Sequence, residues 1–238
     1  MFFSSIVRFI FIINILNFKK FNNLIISMPK KLKINKNPYT DSVSPDFISG
    51  EKDSCGVGFV ANIEGIESNW VLKQSLRGLD CMEHRGGCGG DNDSGDGAGI
   101  LCSIPWSYLK KKCDFEIDQS KELGLGMIFM PNDESLIQKL KILCDQEALN
   151  LSSINSNWRK VPVNNNCLGP LAKANAPFIL QWLVSFEKNP NSDFEFLLFH
   201  LRKRIEKKVR ESFNHSSDFY FASFSSKTVV YKGMVRSE

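Results

Sequence analysis

Residues 53–61 read DSCGVGFVA: two small polar residues, a cysteine, then a glycine-spaced apolar run of strand character. This is the most start-like feature of the 238-residue chain, yet more than fifty residues precede it. How the chain is organised turns on what Cys55 does there. If it is an ordinary buried strand cysteine, the glycines beside it need no explanation. If it begins the working polypeptide, the segment before it is expendable and the fold starts here.

The residues upstream favour the second reading. MFFSSIVRFIFIINILNFKK has an apolar run, Phe9 to Phe18, bounded by Arg8 and Lys19-Lys20. That run is too short to span a bilayer. It resembles the core of a signal peptide, but no small-x-small cleavage site follows. Met28 then opens a polar, lysine- and proline-containing stretch of linker character. Residues 1–54 therefore read as a leader or propeptide, largely disordered: an overextended start with Met28 as the true first residue, or a degenerate organelle-targeting segment.

Charge divides at the same place. Residues 1–54 hold eight Lys/Arg against four Asp/Glu, whereas residues 55–238 hold 22 of each. The whole-chain excess of +4 thus belongs to the leader. A nucleic-acid binder needs its positive charge on the folded face that meets phosphate, so that class is set aside, as is a membrane protein. The seven cysteines (55, 81, 88, 102, 113, 144 and 167) are odd in number and include no CxxC pair. They fit a reducing compartment, with most of them buried as small apolar residues.

Downstream of Cys55, apolar periodicity predicts strands at 55–63, 98–104, 123–130, 178–186, 219–226 and 227–233, with 158–163 extended. The last two strands are expected to pair as neighbours. Helices are expected at 68–82, with Ser68 or Asn69 as cap and Val71, Leu72, Leu76, Leu79 and Met82 inward, then at 133–148 and 193–213. The glycine-rich stretch 84–99 and NNNCLGPLAKANAP (164–177) read as loops. Strands and helices recur without strict βαβ alternation, so the class is α+β, sheets layered with helices outside.

Several patterns mimic sites. Gly56-Val-Gly58-Phe-Val-Ala61 satisfies G-x-G-x-x-A, but a dinucleotide fingerprint needs a strand before it and a helix after it. Here a polar linker precedes and a strand follows. Asp91-Asn-Asp93-Ser-Gly-Asp96 resembles half a calcium loop, with Gly95 and Cys102 where ligands belong. Cys81, His84 and Cys88 have metal-like spacing without a fourth ligand. The basic residues 202–210 on the last long helix, interleaved with Glu195, Glu206 and Glu211, read as a solvated face with helix ion pairs.

Cys55 remains. At a new N-terminus it would combine a thiol with its own α-amine, whose pKa values, about 8.5 and about 7.7–8, let one serve as base for the other near neutrality. Gly56 would let substrate approach the backbone closely.

CGVGFVANIEG (55–65) and MEHRGGCGGDNDSGDGAGI (82–100), followed by WRKVPVNNNCLGPLAKANAP (158–177), LRKRIEKKV (201–209) and SSKTVVYKGM (225–234), resemble the glutaminase domain of glutamate synthase. That is a class II, N-terminal-nucleophile glutamine amidotransferase, and the resemblance covers essentially all of residues 51–238. EHRGGC and DSGDGAG are closer to the ferredoxin-dependent type. The resemblance implies an αββα sandwich, here partial and truncated at the C-terminal side, and removal of a propeptide ending at Ser54. It implies hydrolysis of L-glutamine to glutamate and ammonia, the ammonia passing to 2-oxoglutarate, with Cys55 as nucleophile and Arg85 beside it favouring the thiolate.

It implies further that the rest of the synthase, with FMN and an iron–sulfur cluster, lies outside this stretch, and that ferredoxin is the partner of the whole enzyme. The expected setting is cytoplasm or plastid stroma. No segment like HNGEIN, which would supply the oxyanion donors, occurs in these residues. The sequence therefore reads as an N-terminal fragment, with little activity expected of it alone. Two alternatives stay open: another class II amidotransferase, or a catalytically silent interaction module.

Overall fold

A computed structural model describes residues 9–13, 56–83, 90–95, 97–112, 118, 120–213 and 218–234, with only strand pairing described for 9–13. Among the described residues, eight strands fall into two four-stranded sheets. The first has the order β2-β1-β3-β8, where β1 is Phe9–Ile13, β2 Gly56–Val60, β3 Ala98–Ser103 and β8 Thr228–Gly233. The second has the order β5-β6-β4-β7, with β4 at Glu122–Met130, β5 at Asn155–Lys160, β6 at Phe178–Phe186 and β7 at Tyr220–Ser225.

Between them come α1 (Asn69–Asp80), α2 (Trp106–Lys112), α3 (Glu134–Leu149), α4 (Pro170–Ala174) and α5 (Phe194–Ser212). The α+β class follows directly. Residues 164–177, expected as a loop throughout, contain a 3-10 turn at Asn165–Cys167 and the short α4. Pro170 fits there because its missing N–H falls at the first helical position.

The second sheet carries the main hydrophobic core. β4 and β6 are antiparallel over nine residue pairs, Glu122↔Phe186 to Met130↔Phe178. One face of this sheet packs on α3 and α5 through Ile128, Leu180, Trp182, Val184, Leu140, Leu198 and Leu201. The helical stripe on α5 is close to the predicted one: Leu198, Leu201, Ile205 and Val209 are buried, with Leu197 and Phe213 partly so. Ser68 does cap α1, its hydroxyl accepting from Val71 N. On that helix Val71 and Leu79 are buried but Leu76 is exposed.

The other face of the second sheet, carrying Leu125, Met127, Phe129 and Leu183, meets the first sheet at Val229, Cys102 and Tyr231. Burial raises the Cys102 thiol pKa to about 11, with a smaller push from Glu67, so it remains protonated as an apolar filler. Ala98 and Ile100, on the same face of β3 as Cys102, pack on Val71 and Leu79 of α1. Helix α1 and the second sheet thus share one face of the first sheet. On the opposite face Val57 and Phe59 are 68% and 75% exposed.

One expectation is corrected. Residues 219–226 and 227–233 do form strands, but they do not pair as neighbours in one sheet: β7 joins β4, and β8 joins β3. The chain changes sheet at Ser226-Lys227. Glu195 Oε1, at the start of α5, fixes that corner by accepting from Ser226 N at 2.7 Å and from Ser225 Oγ at 3.2 Å. Within the segment read as a leader, Phe9–Ile13 form a strand that was not expected, β1, parallel to both β2 and β3. The residues FIFII are aromatic and β-branched, the composition that suits a strand with a partner on either side.

The basic residues of α5 are partly surface and partly not. Arg202 and Lys203 pair with Glu206, and Lys207 with Glu211, as helix neighbours. Arg204 and Lys208 turn instead to Glu147 of α3, which is 1% exposed.

Candidate active site

Cys55 and Arg85 lie outside the described residues, as do His84 and Cys88. What the structure does describe is the strand to which Cys55 is covalently joined and the walls around that end of the sheet. Val57, Ile10, Gly99 and Lys232 stand in one row across β2, β1, β3 and β8. Gly56 and Ala98 are each one residue before that row, at the same end, because β2, β1 and β3 are parallel. Two strand spacings, about 10 Å, separate β2 from β3.

At this end a cavity of about 380 Å³ opens between the sheets. Its floor is the start of β3 (Ala98, Gly99) with Met127 and Phe129 of β4, and Leu79 of α1 closes one side. The segment 164–177 forms another wall, through Asn164, Leu168, Ala172 and Asn175. A mainly apolar cavity with a few convergent polar groups is the usual form of a small-molecule site.

The wall segment is held by a connection that the sequence does not announce. Helix α4 begins after Gly169, which has no side chain to cap it. Its free N–H groups are satisfied from across the fold: Leu171 N donates to Asp91 Oδ2 at 2.9 Å, and Ala172 N to Ser94 Oγ at 2.8 Å. Ser94 Oγ in turn donates to Asp91 Oδ2 at 2.6 Å, and Ser94 N to Asp91 Oδ1 at 2.8 Å. The Ser94 hydroxyl bond, then the backbone bonds from Leu171 and Ser94, hold the Asp91 carboxyl well below the usual carboxylate range.

Gly169 is what lets the two segments touch. A Cβ there would stand 2.5 Å from Ser94 N and 2.7 Å from Asp93 C, both backbone atoms. The calcium-loop likeness of residues 91–96 has its explanation in this arrangement: Asp91 spends its lone pairs on N–H and O–H donors. Among the described residues no group of three His, Cys, Asp or Glu side chains converges as metal ligands would.

A second polar connection joins the sheets beside the cavity. Gln181, fully buried on β6, accepts from Arg159 Nη1 at 2.6 Å and donates to the Tyr231 hydroxyl at 3.1 Å. Neither connection was anticipated from the sequence. Each joins residues that only the fold brings together, and the one available signal was chemical: DNDSGDG is rich in capping residues and glycine, and the Gly-Pro of LGPLAK suits a helix start.

A start-like cysteine before a parallel strand, two facing sheets and helices packed outside one of them define an N-terminal-nucleophile type of domain. The chain belongs to the class-II glutamine amidotransferases, a family it matches over residues 55–238. It is similar to ferredoxin-dependent glutamate synthase 1 of Arabidopsis thaliana, with 42% identity over 80% of this chain and 12% of that protein. It is similar also to the ferredoxin-dependent glutamate synthase of Oryza sativa, with 37% identity over 90% of this chain and 13% of the relative. For ferredoxin-dependent glutamate synthase 2 of Synechocystis the identity is 42% over 79% and 12%. The chain therefore spans about an eighth of the length of these relatives.

Proposed function

We infer that residues 55–238 are part of the glutaminase unit of a glutamate synthase, with Cys55 as nucleophile. The observation that carries the reading is that the family match opens on Cys55 itself, the residue that sequence chemistry singles out. Once residues 1–54 are removed, the Cys55 α-amine can take the thiol proton, and the sulfur attacks the side-chain amide carbon of glutamine. The amine returns the proton to the departing nitrogen, so that ammonia leaves and a γ-glutamyl thioester remains. Water then cleaves the thioester to glutamate, and the ammonia goes on to 2-oxoglutarate. Arg85, by its charge, favours the thiolate in this scheme.

The names of the relatives support ferredoxin as electron donor for the whole enzyme, and those carried by plant proteins support an organelle setting. FMN and an iron–sulfur cluster belong to the remainder of such a synthase. No helix among the described residues is long and apolar enough to cross a membrane.

Intact-mass measurement and N-terminal sequencing of the polypeptide purified from its own cells test the reading. Active enzyme is expected to begin at Cys55. Active enzyme that keeps residues 28–54 attached would overturn it. Exchanging reduced ferredoxin for NADPH as electron source tests the donor separately.

A further inference from the structure

We propose that Asp91 and Ser94 are positioning residues for glutamine hydrolysis, holding the segment 164–177 as the wall of the cavity at the Cys55 end of the first sheet. The inference rests on the glutaminase reading and extends it to residues that no family assignment marks. Three observations carry it. The wall segment includes α4, which has only five residues and no cap of its own, and so depends on bonds from elsewhere. Those bonds come from Asp91 and Ser94, some 80 residues earlier in the chain, on the stretch that leads into β3. Ala172, whose N–H is held by Ser94, and Asn175, one turn on, both line the cavity at the start of β3, which in the chain that still carries β1 begins level with the nucleophile's own strand, β1 lying between the two.

The consequence is selective. If the connection loosens, α4 loses its partners and the wall moves, while the two sheets, built on β4 and β6, keep their core. Nucleophilicity of Cys55 does not pass through Asp91 or Ser94. Orientation of glutamine does, and a misplacement of about 1 Å in a site can cost about 10²-fold.

The test uses the polypeptide as its own cells make it, with three variants. Ser94→Ala removes the hydroxyl bonds, Asp91→Asn keeps size while weakening acceptance, and Gly169→Ala wedges the segments apart without removing any polar group. Two rates of Cys55 alkylation are measured: by a diazo-ketone glutamine analogue, which must be oriented, and by iodoacetamide, which need not be. Peptide mapping separates Cys55 from exposed Cys167. KM for glutamine is measured alongside.

Each variant is expected to raise KM about tenfold and slow the analogue about tenfold, with the iodoacetamide rate within about twofold of wild type. Folded variants with unchanged KM and an unchanged ratio of the two alkylation rates would overturn the proposal. So would loss of both rates in parallel, the signature of general unfolding; Asp91→Asn, the mildest change, decides if the others fail to fold. Glutamine hydrolysis surviving in Cys55→Ala would instead sink the parent reading, leaving the two failures distinguishable.

Discussion

Gln181 Nε2 donates a hydrogen bond of 3.1 Å to the Tyr231 hydroxyl, tying the second sheet to the first through a fully buried amide. Its Oε1 is taken by Arg159 Nη1 at 2.6 Å, so both ends of the side chain are committed. Replacing Tyr231 by Phe keeps the ring and leaves the buried amide donor with nothing to meet. The expected loss is about 1–3 kcal/mol, read as a lower urea midpoint at unchanged slope. An unmoved midpoint would show that the amide finds water or another acceptor.

Glu147 carries a pH dependence. Burial alone would raise its pKa, but the hydrogen bonds from Lys208 at 2.5 Å and Arg204 at 3.0 Å outweigh that, and the net shift is downward from 4.5. A depressed carboxylate contributes stability that is present above its unfolded pKa and is lost as pH falls through the folded one. Below about pH 4.5 the α3–α5 contact is therefore expected to weaken progressively. Glu147→Gln should flatten the acid limb of a stability-versus-pH profile. Glu147→Ala should cost about 3 kcal/mol at neutral pH, the low end for breaking a buried pair, because both cations keep partial access to water. An acid limb identical to wild type in Glu147→Gln would assign the pH response elsewhere.

Gly124 sets how closely α5 lies on the second sheet. A Cβ there would be 2.8 Å from Leu198 Cδ2 and 3.1 Å from Val184 Cγ2. Leu198 and Val184 are both fully buried, so neither can swing into solvent. Gly124→Ala is expected to destabilise by about 1–3 kcal/mol through overpacking, measured by thermal or urea unfolding. Wild-type stability in this variant would mean that α5 can shift outward freely.

These features show where the sequence was readable. β4, β6 and α5 carried their positions in their own periodicity, because each is long enough for an apolar pattern to repeat. Cys55, which lies outside the described residues, is proposed from local chemistry, since a thiol beside a prospective α-amine needs no distant partner to suggest it. The Ser94–Ala172 bond could not be foreseen, because the partners are 78 residues apart and nothing in either segment names the other. The β7–β8 corner misled for a related reason. A two-residue connection between apolar runs reads as a hairpin, and only Glu195, reaching in from α5, marks it as a change of sheet. β1 was missed because its apolar run sits among segments of leader character, and a five-residue strand declares itself only by what it pairs with.

Cys55 carries the most direct chemical prediction. In the polypeptide as its own cells make it, Cys55→Ala should abolish glutamine-dependent glutamate formation and leave ammonia-dependent formation largely intact, because only amide cleavage needs the thiol. Cys55→Ser is the informative companion. It keeps the α-amine and a nucleophilic oxygen, but a hydroxyl is far less acidic than a thiol of pKa about 8.5, so the amine is a poor base for it and turnover should remain very low. In the wild type the glutamine-dependent rate should rise with pH as the free α-amine loses its proton, near 7.7–8 if its surroundings leave it unshifted. The ammonia-dependent rate, which does not use that amine as base, should lack this step. Steady-state rates with each nitrogen source across pH 6–9 check all three expectations. Normal glutamine-driven turnover in Cys55→Ala would require another nucleophile, and the assignment of this end of the first sheet as the reacting site would fall with it.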